Sequence, residues 1–317
     1  MIVVPKGMLG AWLVRHFLGE AMRLTSVSSF YRNAYNTNAK IEDGCFINNH
    51  AKIFGVTDGN SAAFSPSNPP LLYNGLTGAQ MVNVVLTREL ANIFYNNILE
   101  EFLLTANREV FSCHGEKGQN PMKGDDVGGA CFAFCQPTEE GLKIILGGDC
   151  FIFLEAKQGP FFYTGFDKDA FEIEKRDQMH FNECKEKVGG DIGKAWDLYY
   201  PIYRNKRIAC KNRNIGKGGD ASLNGDPELD NCWKQVFIPW NDEPRLVILG
   251  TDGLLPPTEI YPRNFSTLTG KISRHYESGG IENILMWRDS IEQKKSSLTH
   301  IEGWPEASAV VLEFRTT

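Results

Sequence analysis

Short apolar runs of the kind that form β-strands occur in separate blocks along this chain, and their order limits the folds open to it. One run ends at Asp58, three lie between residues 130 and 157, and two more cover residues 245–250 and 307–314. Helical patterns lie between the blocks, whereas a doubly wound parallel sheet alternates strand and helix one for one. The order therefore favours an α+β fold of two packed antiparallel sheets with helices outside.

Local patterns predict individual elements of this fold. The runs at 130–136, 142–148 and 150–157 are separated only by turn residues, which predicts an antiparallel meander. Apolar residues recur at intervals of three and four from Gly78 to Thr105, which predicts one long helix. Two further segments with helical spacing are residues 169–188 and 279–293.

Charge balance and hydropathy exclude two classes of protein. Lys and Arg number 33 against 39 Asp and Glu in 317 residues, a net charge of −6, so no overall positive field could hold a nucleic-acid backbone. No uncharged apolar run reaches the roughly 18 residues that a membrane-spanning helix needs. We therefore expect neither a nucleic-acid partner nor a membrane span, and the oligomeric state stays open.

The cysteines and the N-terminal residues bear on location and domain organisation. Eight cysteines form no dense framework and no Cys-x-x-Cys pair, which is typical of reduced thiols and favours the cytoplasm or nucleus. Residues 1–24 are predicted to form an N-terminal extension, either a transit peptide or an amphipathic helix packed on the rest. Residues 25–317 are predicted to form one domain, because no linker divides them.

Two of the predicted strands end in the same way, with Asp58-Gly59 in "KIFGVTDGN" and Asp252-Gly253 in "RLVILGTDGLL". A sheet holds a strand-end aspartate rigidly, and the following glycine lets the backbone turn and leaves its carbonyl exposed. This arrangement suits a metal site. Asp-Gly is also a common turn dipeptide, so a purely structural role is the alternative.

Further carboxylates flank apolar strands and extend the candidate set. The acidic residues at strand ends are Glu42, Asp43, Asp58, Asp149, Asp252 and Glu306. Hard divalent ions such as Mg²⁺ and Mn²⁺ prefer oxygen ligands of this kind. Two ions about 4 Å apart could activate a shared water for a phosphoryl displacement. The alternative is that strand-end carboxylates are simply solvated.

The order of these motifs resembles the metal-dependent protein phosphatase 2C family of serine/threonine phosphatases, from about residue 25 to residue 314. The family's Glu-Asp pair is matched by Glu42 and Asp43, and its Asp-Gly-His strand end by Asp58-Gly59. Its Gly-Asp turn is similar to the turn at Asp149, and its late Ser-Asp-Gly strand end to Asp252. Its last Asp-Asn falls on Glu306 and Ala307.

This resemblance implies a four-layer αββα sandwich with two or three Mn²⁺ or Mg²⁺ ions in a cleft at one edge of the sheets. Asp58 would bridge the ions, and Asp252 and the Gly59 carbonyl would each hold one. Glu42 and Asp43 would anchor waters, Asp149 would serve a weaker third ion, and Glu306 would be a ligand with a longer arm than aspartate. Asp58 and Asp252 are the expected catalytic residues.

The chain departs from the family at two positions that contact the substrate. Asn60 stands where the family has its general-acid histidine, so catalysis should be slower. Asn38 aligns with the arginine that clamps the substrate phosphate, and it lacks that charged fork; Lys40 and Arg32 are candidates to replace it. An insert at residues 60–77 lies beside the expected metals, either as a substrate-selecting loop or as a lid.

The resemblance implies a protein serine/threonine phosphatase that hydrolyses phosphoserine or phosphothreonine with a metal-activated water, and whose partner is a phosphoprotein. The alternative is a pseudophosphatase, a regulatory binding module that captures a partner without turnover; Asn38 and Asn60 distinguish the two. A basic segment at residues 204–220 could attract a phosphopeptide, or could be a solvated face.

Overall fold

Two five-stranded antiparallel sheets form the centre of the fold in a computed structural model, which describes residues 22–32, 41–93, 98–166, 168–213, 217, 219–256, 265–296 and 306–316. Most of the predicted N-terminal extension lies outside the described residues, as do Asn38 and Lys40. The first sheet has the strand order β1 (Met22–Arg32), β10 (Ala307–Thr316), β9 (Leu246–Gly250), β6 (Phe151–Ala156) and β7 (Gly159–Thr164). The second has the order β2 (Gly44–Asn48), β3 (Ile53–Asn60), β4 (Gly129–Pro137), β5 (Gly141–Gly147) and β8 (Lys234–Pro239).

Helices cover the outer faces of both sheets. Helices α1 (Gly78–Ala91) and α2 (Leu99–Gly115) pack on the second sheet, and α5 (Phe265–Ser296) packs on the first. Helices α3 (Lys168–Lys187) and α4 (Ile192–Cys210) pack mainly against each other. The predicted α+β class and αββα layers are thereby confirmed. Among the described residues, no helix has both the length and the apolarity to cross a bilayer.

Strand β4 illustrates why the layers stack in this order, since all nine of its residues are buried. Successive side chains point to opposite faces of a strand. Phe132 and Phe134 enter the core beneath α1 and α2, whereas Cys131, Ala133 and Cys135 enter the core between the sheets. On β4, large rings therefore face the helices, and smaller side chains face the other sheet.

The predicted meander is wrong in its third strand. Strands β4 and β5 pair as expected, but β5 takes β8 as its other neighbour, and β6 crosses to the other sheet to pair with β7 and β9. Strand β6 is apolar on both faces: Ile152 and Leu154 enter the core between the sheets, and Phe151 and Phe153 the core under α5. A strand of this type is most stable when both faces are covered.

The single helix predicted from Gly78 to Thr105 is also wrong, because the segment forms two helices. Helix α1 ends at Ala91, and the N–H of Asn92 donates to the Glu89 carbonyl. Ile98 has an extended backbone, with φ −85° and ψ 147°, and α2 begins after it. Both helices bury apolar faces on one sheet, so their sequences share a stripe that periodicity alone reads as continuous. The helices predicted at 169–188 and 279–293 correspond to α3 and to the second part of α5.

Candidate metal centre

Three aspartates from separate parts of the chain converge where the two sheets meet. Asp58 lies near the end of β3, opposite Cys131 of β4. Asp252 follows β9 of the other sheet, and Asp149 lies in the crossover from β5 to β6. Each offers a carboxylate oxygen, and these oxygens lie within 4.8 Å of one another. The crossover that breaks the predicted meander is thus what brings Asp149 to the cluster.

The cluster concentrates negative charge in a partly buried place. The pKa of Asp58 is raised well above its usual value by burial, and further by Asp252, Asp43 and Asp149. The pKa of Asp43 is raised as well, by burial first and then by Glu306, although a hydrogen bond from Thr251 opposes the shift. Carboxylates held this close without a nearby cation repel one another. The all-oxygen donor set therefore fits a hard divalent ion such as Mn²⁺ or Mg²⁺.

The Glu42-Asp43 segment is held against the cluster by hydrogen bonds from several elements. The backbone N–H groups of Glu42 and Asp43 donate to Glu306 Oε2 over 2.9 and 2.8 Å. Thr251 Oγ1 donates to Asp43 Oδ2 over 2.9 Å, which links the segment to the strand end that carries Asp252. Asn83 of α1 donates to the Glu42 carbonyl over 2.7 Å. Glu306, expected as a metal ligand, here receives the two backbone amides that precede β2.

Gly59 lies in a tight contact that explains why glycine is required after Asp58. A Cβ atom at this position would lie 2.5 Å from Glu42 Cβ and 2.7 Å from Ala79 Cβ. Both distances are far below a normal carbon–carbon contact of about 3.5–4.0 Å. The glycine therefore allows β3 to run against α1 and the Glu42 segment.

Asn60 lies directly beside the cluster and is held by weak contacts. Its Nδ2 lies 3.4 Å from Cys131 Sγ and 3.4 Å from Ser222 Oγ. Its Oδ1 is buried and has no hydrogen-bond partner among the described residues. Arg32, one candidate for the phosphate clamp, instead forms an ion pair with Asp289 of α5 at 2.7 Å.

A pocket of about 390 Å³ opens beside the aspartates. Asp58, Asn60 and Asp149 line it, and so do side chains of α3 and α4. Those from the helices, and from the residue that follows α4, include Asp177, Phe181, Trp196, Tyr203, Lys206 and Lys211. Sequence analysis missed these residues as part of the site. The sequence feature that pointed towards them was the basic segment at 204–220: its Lys206, Arg207 and Lys211 line this pocket, whereas its Lys217 is exposed.

The insert after Asn60 is attached to the neighbouring helix. Ser67 donates to Asp197 of α4 through both its N–H and its hydroxyl, each over 3.0 Å. The N–H of Ala63 donates to Asp126 Oδ2 over 2.7 Å, and Asp126 Oδ1 accepts from Arg207 of α4 over 2.9 Å. The insert and α4 are therefore joined by polar contacts next to the pocket.

The arrangement of layers can be compared with solved structures. No protein-family model matches the sequence, and no curated protein matches it. The serine/threonine phosphatase Stp1 from Staphylococcus aureus is similar at 14% identity, with 95% of this chain and 98% of that chain covered and a TM-score of 0.51. A bacterial serine phosphatase is similar at 12% identity, with 90% of this chain and 96% of that chain covered and a TM-score of 0.51. PppA from Pseudomonas aeruginosa is similar at 12% identity, with 92% of this chain and 97% of that chain covered and a TM-score of 0.50.

The chain shares the fold of these bacterial phosphatases. That fold is the one implied by the family resemblance in the sequence. At identities of 12% and 14% the similarity is one of fold. The site supplies three clustered aspartates at the edge where the sheets meet, and a pocket next to them that carries both acidic and basic side chains.

Proposed function

We propose that this protein is a metal-dependent phosphatase that hydrolyses phosphoserine or phosphothreonine in proteins. The observation that carries the proposal is the convergence of Asp58, Asp149 and Asp252 within 4.8 Å, on a fold shared with serine/threonine phosphatases. Two Mn²⁺ or Mg²⁺ ions would supply Lewis-acid chemistry and an activated water. The protein's own part is to hold the ligands rigidly and to admit a phosphate ester.

Each residue of the predicted metal-binding set has a place in this proposal. Asp58 and Asp252 are the principal ligands, and the Gly59 carbonyl and Asp149 complete the donor set. Glu42 and Asp43 would orient waters, since their segment is fixed by the hydrogen bonds from Thr251 and Asn83. Glu306 would act mainly through the two backbone amides that it receives.

A pseudophosphatase is the second candidate, and the contacts of Asn60 favour it. An amide cannot protonate a leaving alkoxide, and Asn60 Nδ2 already lies against Cys131 and Ser222. General-acid catalysis typically contributes about 10²- to 10⁴-fold in rate. A protein that keeps the metal ligands without this acid could bind a phosphoprotein and release it unchanged.

The test replaces one carboxylate at a time. We expect Asp58→Asn and Asp252→Asn each to abolish Mn²⁺-dependent hydrolysis of a phosphothreonine peptide while the protein stays folded, because each removes a ligand charge at the cleft. Calorimetric Mn²⁺ titration should show weakened binding in both variants. Asp230→Asn, at an exposed aspartate in a short 3₁₀ helix, is the control.

Two results would count against this proposal. Unchanged hydrolysis in either cleft variant would remove the metal model. Tight Mn²⁺ binding by the unmodified protein without hydrolysis of phosphothreonine or aryl phosphate substrates would support the pseudophosphatase instead.

A further inference from the structure

The pocket beside the aspartates contains two lysine–aspartate ion pairs contributed by the α3–α4 region. Lys211, at the end of α4, contacts Asp220 at 2.6 Å between Nζ and Oδ2, and Lys206 contacts Asp177 of α3. All four residues line the pocket. Arg207 also lines the pocket, but it is paired with Asp126; the lysines therefore bring positive charge to a cavity that Asp58 and Asp149 line on the side of β3.

Lys211 belongs to a hydrogen-bonded unit that touches Asn60. The N–H of Asn212 donates to the Asp220 carbonyl over 2.8 Å, and the Asn212 side chain exchanges two 2.8 Å hydrogen bonds with the backbone of Ser222. Ser222 Oγ in turn lies 3.4 Å from Asn60 Nδ2. The ion pair is therefore fixed close to the end of β3.

The buried thiol of Cys131 also lies next to Asn60 at the end of β3. Its Sγ lies 3.4 Å from Asn60 Nδ2. Cys131, Asp149 and Lys211 all line the pocket, so the thiol, the aspartate cluster and the lysine border the same cavity.

The Lys211–Asp220 pair is costly to bury, which calls for an explanation beyond packing. The two side chains are only 15% and 10% exposed, and removing paired charges from water generally costs about as much as their attraction returns. An ammonium group has three N–H donors, and Asp220 Oδ2 accepts one hydrogen bond from it. The remaining donors can serve a ligand in the pocket.

We propose that Lys211 binds the phosphate group of the substrate in the pocket next to Asp58 and Asp149. Its ligand class is a phosphate monoester dianion, and this inference rests on the proposed function for the reaction but concerns binding alone. Lys211 would provide the positive charge that the family resemblance places at Asn38 and that this chain lacks there. Asp220 would act as a positioning residue that fixes the ammonium group.

The test measures binding of inorganic phosphate to the full chain loaded with Mg²⁺, by calorimetry. Removing Lys211 alone would leave a buried carboxylate unpaired, so the informative variant is the double exchange Lys211→Met with Asp220→Asn. Its matched control is Lys143→Met with Glu100→Gln, which removes a half-buried ion pair of 2.9 Å outside the pocket lining. Lys211→Arg keeps the charge and tests for rescue.

We expect the double variant to bind phosphate at least about tenfold more weakly, the factor typical of losing a hydrogen bond between charged groups. Its Mg²⁺ affinity should be unchanged, and the control and Lys211→Arg should stay within about threefold of the unmodified protein. Phosphate affinity that changes less than twofold in the double variant would overturn the inference, as would no phosphate binding by the unmodified protein. Phosphate binding through Lys211 without hydrolysis would instead refute only the proposed reaction.

Discussion

Asn60 is the residue at which the expected chemistry and the local structure are most directly opposed. It lies two residues after Asp58, yet its amide N–H is too weakly acidic to protonate a leaving group. Its neighbours are the thiol of Cys131 and the hydroxyl of Ser222. A histidine placed here would enter a mostly polar environment at the edge of the pocket.

We therefore predict that Asn60→His raises turnover in a substrate-dependent way. An alkyl phosphate such as phosphothreonine needs a proton on its leaving oxygen, whereas an aryl phosphate leaves as a stable phenolate. General-acid catalysis is worth about 10²- to 10⁴-fold, and we expect a smaller gain because the imidazole is not preorganised. The measurement is kcat for both substrates, with the exposed Asn182→His of α3 as control.

The outcome separates three roles of the histidine. A gain for phosphothreonine alone supports a missing general acid at this position. An equal gain for both substrates would mean that the histidine acts through metal or substrate binding. No gain for either, with Mn²⁺ binding intact, would favour the pseudophosphatase.

At the scale of elements, the ion pair between Asp126 and Arg207 joins three segments. Arg207 of α4 is only 4% exposed and Asp126 only 6% exposed. Asp126 also receives the Ala63 N–H, and so connects the insert after Asn60 to α4. The contacts of Ser67 with Asp197 lie in the same interface. These polar contacts fix the first part of the insert beside the pocket, and Tyr73 anchors its later part in the apolar core under α1 and α2.

We predict that Asp126→Asn destabilises the protein by about 3–5 kcal/mol, because it leaves the buried Arg207 charge without its partner. The free energy of unfolding in urea measures this, and hydrogen exchange at the Ala63 amide should speed up. Lys157→Gln is the comparison, since Lys157 and Glu243 form an exposed pair with side chains 65% and 39% accessible. Exposed pairs contribute little to stability, because water screens their attraction. Equal effects of the two substitutions would contradict a structural role for Asp126.

At the scale of the whole molecule, the aspartate cluster lies where both sheets contribute. Asp58 comes from the second sheet, Asp252 follows a strand of the first, and Asp149 lies in the crossover between them. Burial and mutual repulsion raise the pKa values of Asp58 and Asp43 in the folded protein. The folded state therefore holds protons at pH values where unfolded carboxyl groups, with a pKa near 4, have lost them.

We predict that the metal-free protein becomes less stable as the pH rises from about 4 through the raised pKa values, since the folded state binds more protons than the unfolded state in that range. A divalent ion should remove this penalty, and Mn²⁺ at 100 times its dissociation constant should add about 2.7 kcal/mol. Urea unfolding at pH 5.5 and 7.5, in EDTA and in MnCl₂, measures both effects. Stability in EDTA that increases over this range, with no effect of Mn²⁺, would contradict the metal site.

Much of the architecture follows from the sequence alone, because it depends on local periodicity. Alternating and apolar runs identified β3 to β6, β9 and β10, and helical spacing identified α3 and the second part of α5. The glycine after Asp58 marked a real steric requirement. These features could be predicted because each is set by neighbours within a few residues along the chain.

Tertiary structure decided what local patterns leave open, namely which elements meet. The apolar stripe from Gly78 to Thr105 is shared by two helices, and β6 joins the first sheet, between β9 and β7. That crossover brings Asp149 to Asp58 and Asp252, and the end of α4 brings Lys211 to the same pocket. The sequence determines which side chains can be buried and which can bind a metal ion. The pairing of distant strands, however, depends on how much apolar surface the whole core buries. That pairing decides where the charged residues at the strand ends come together.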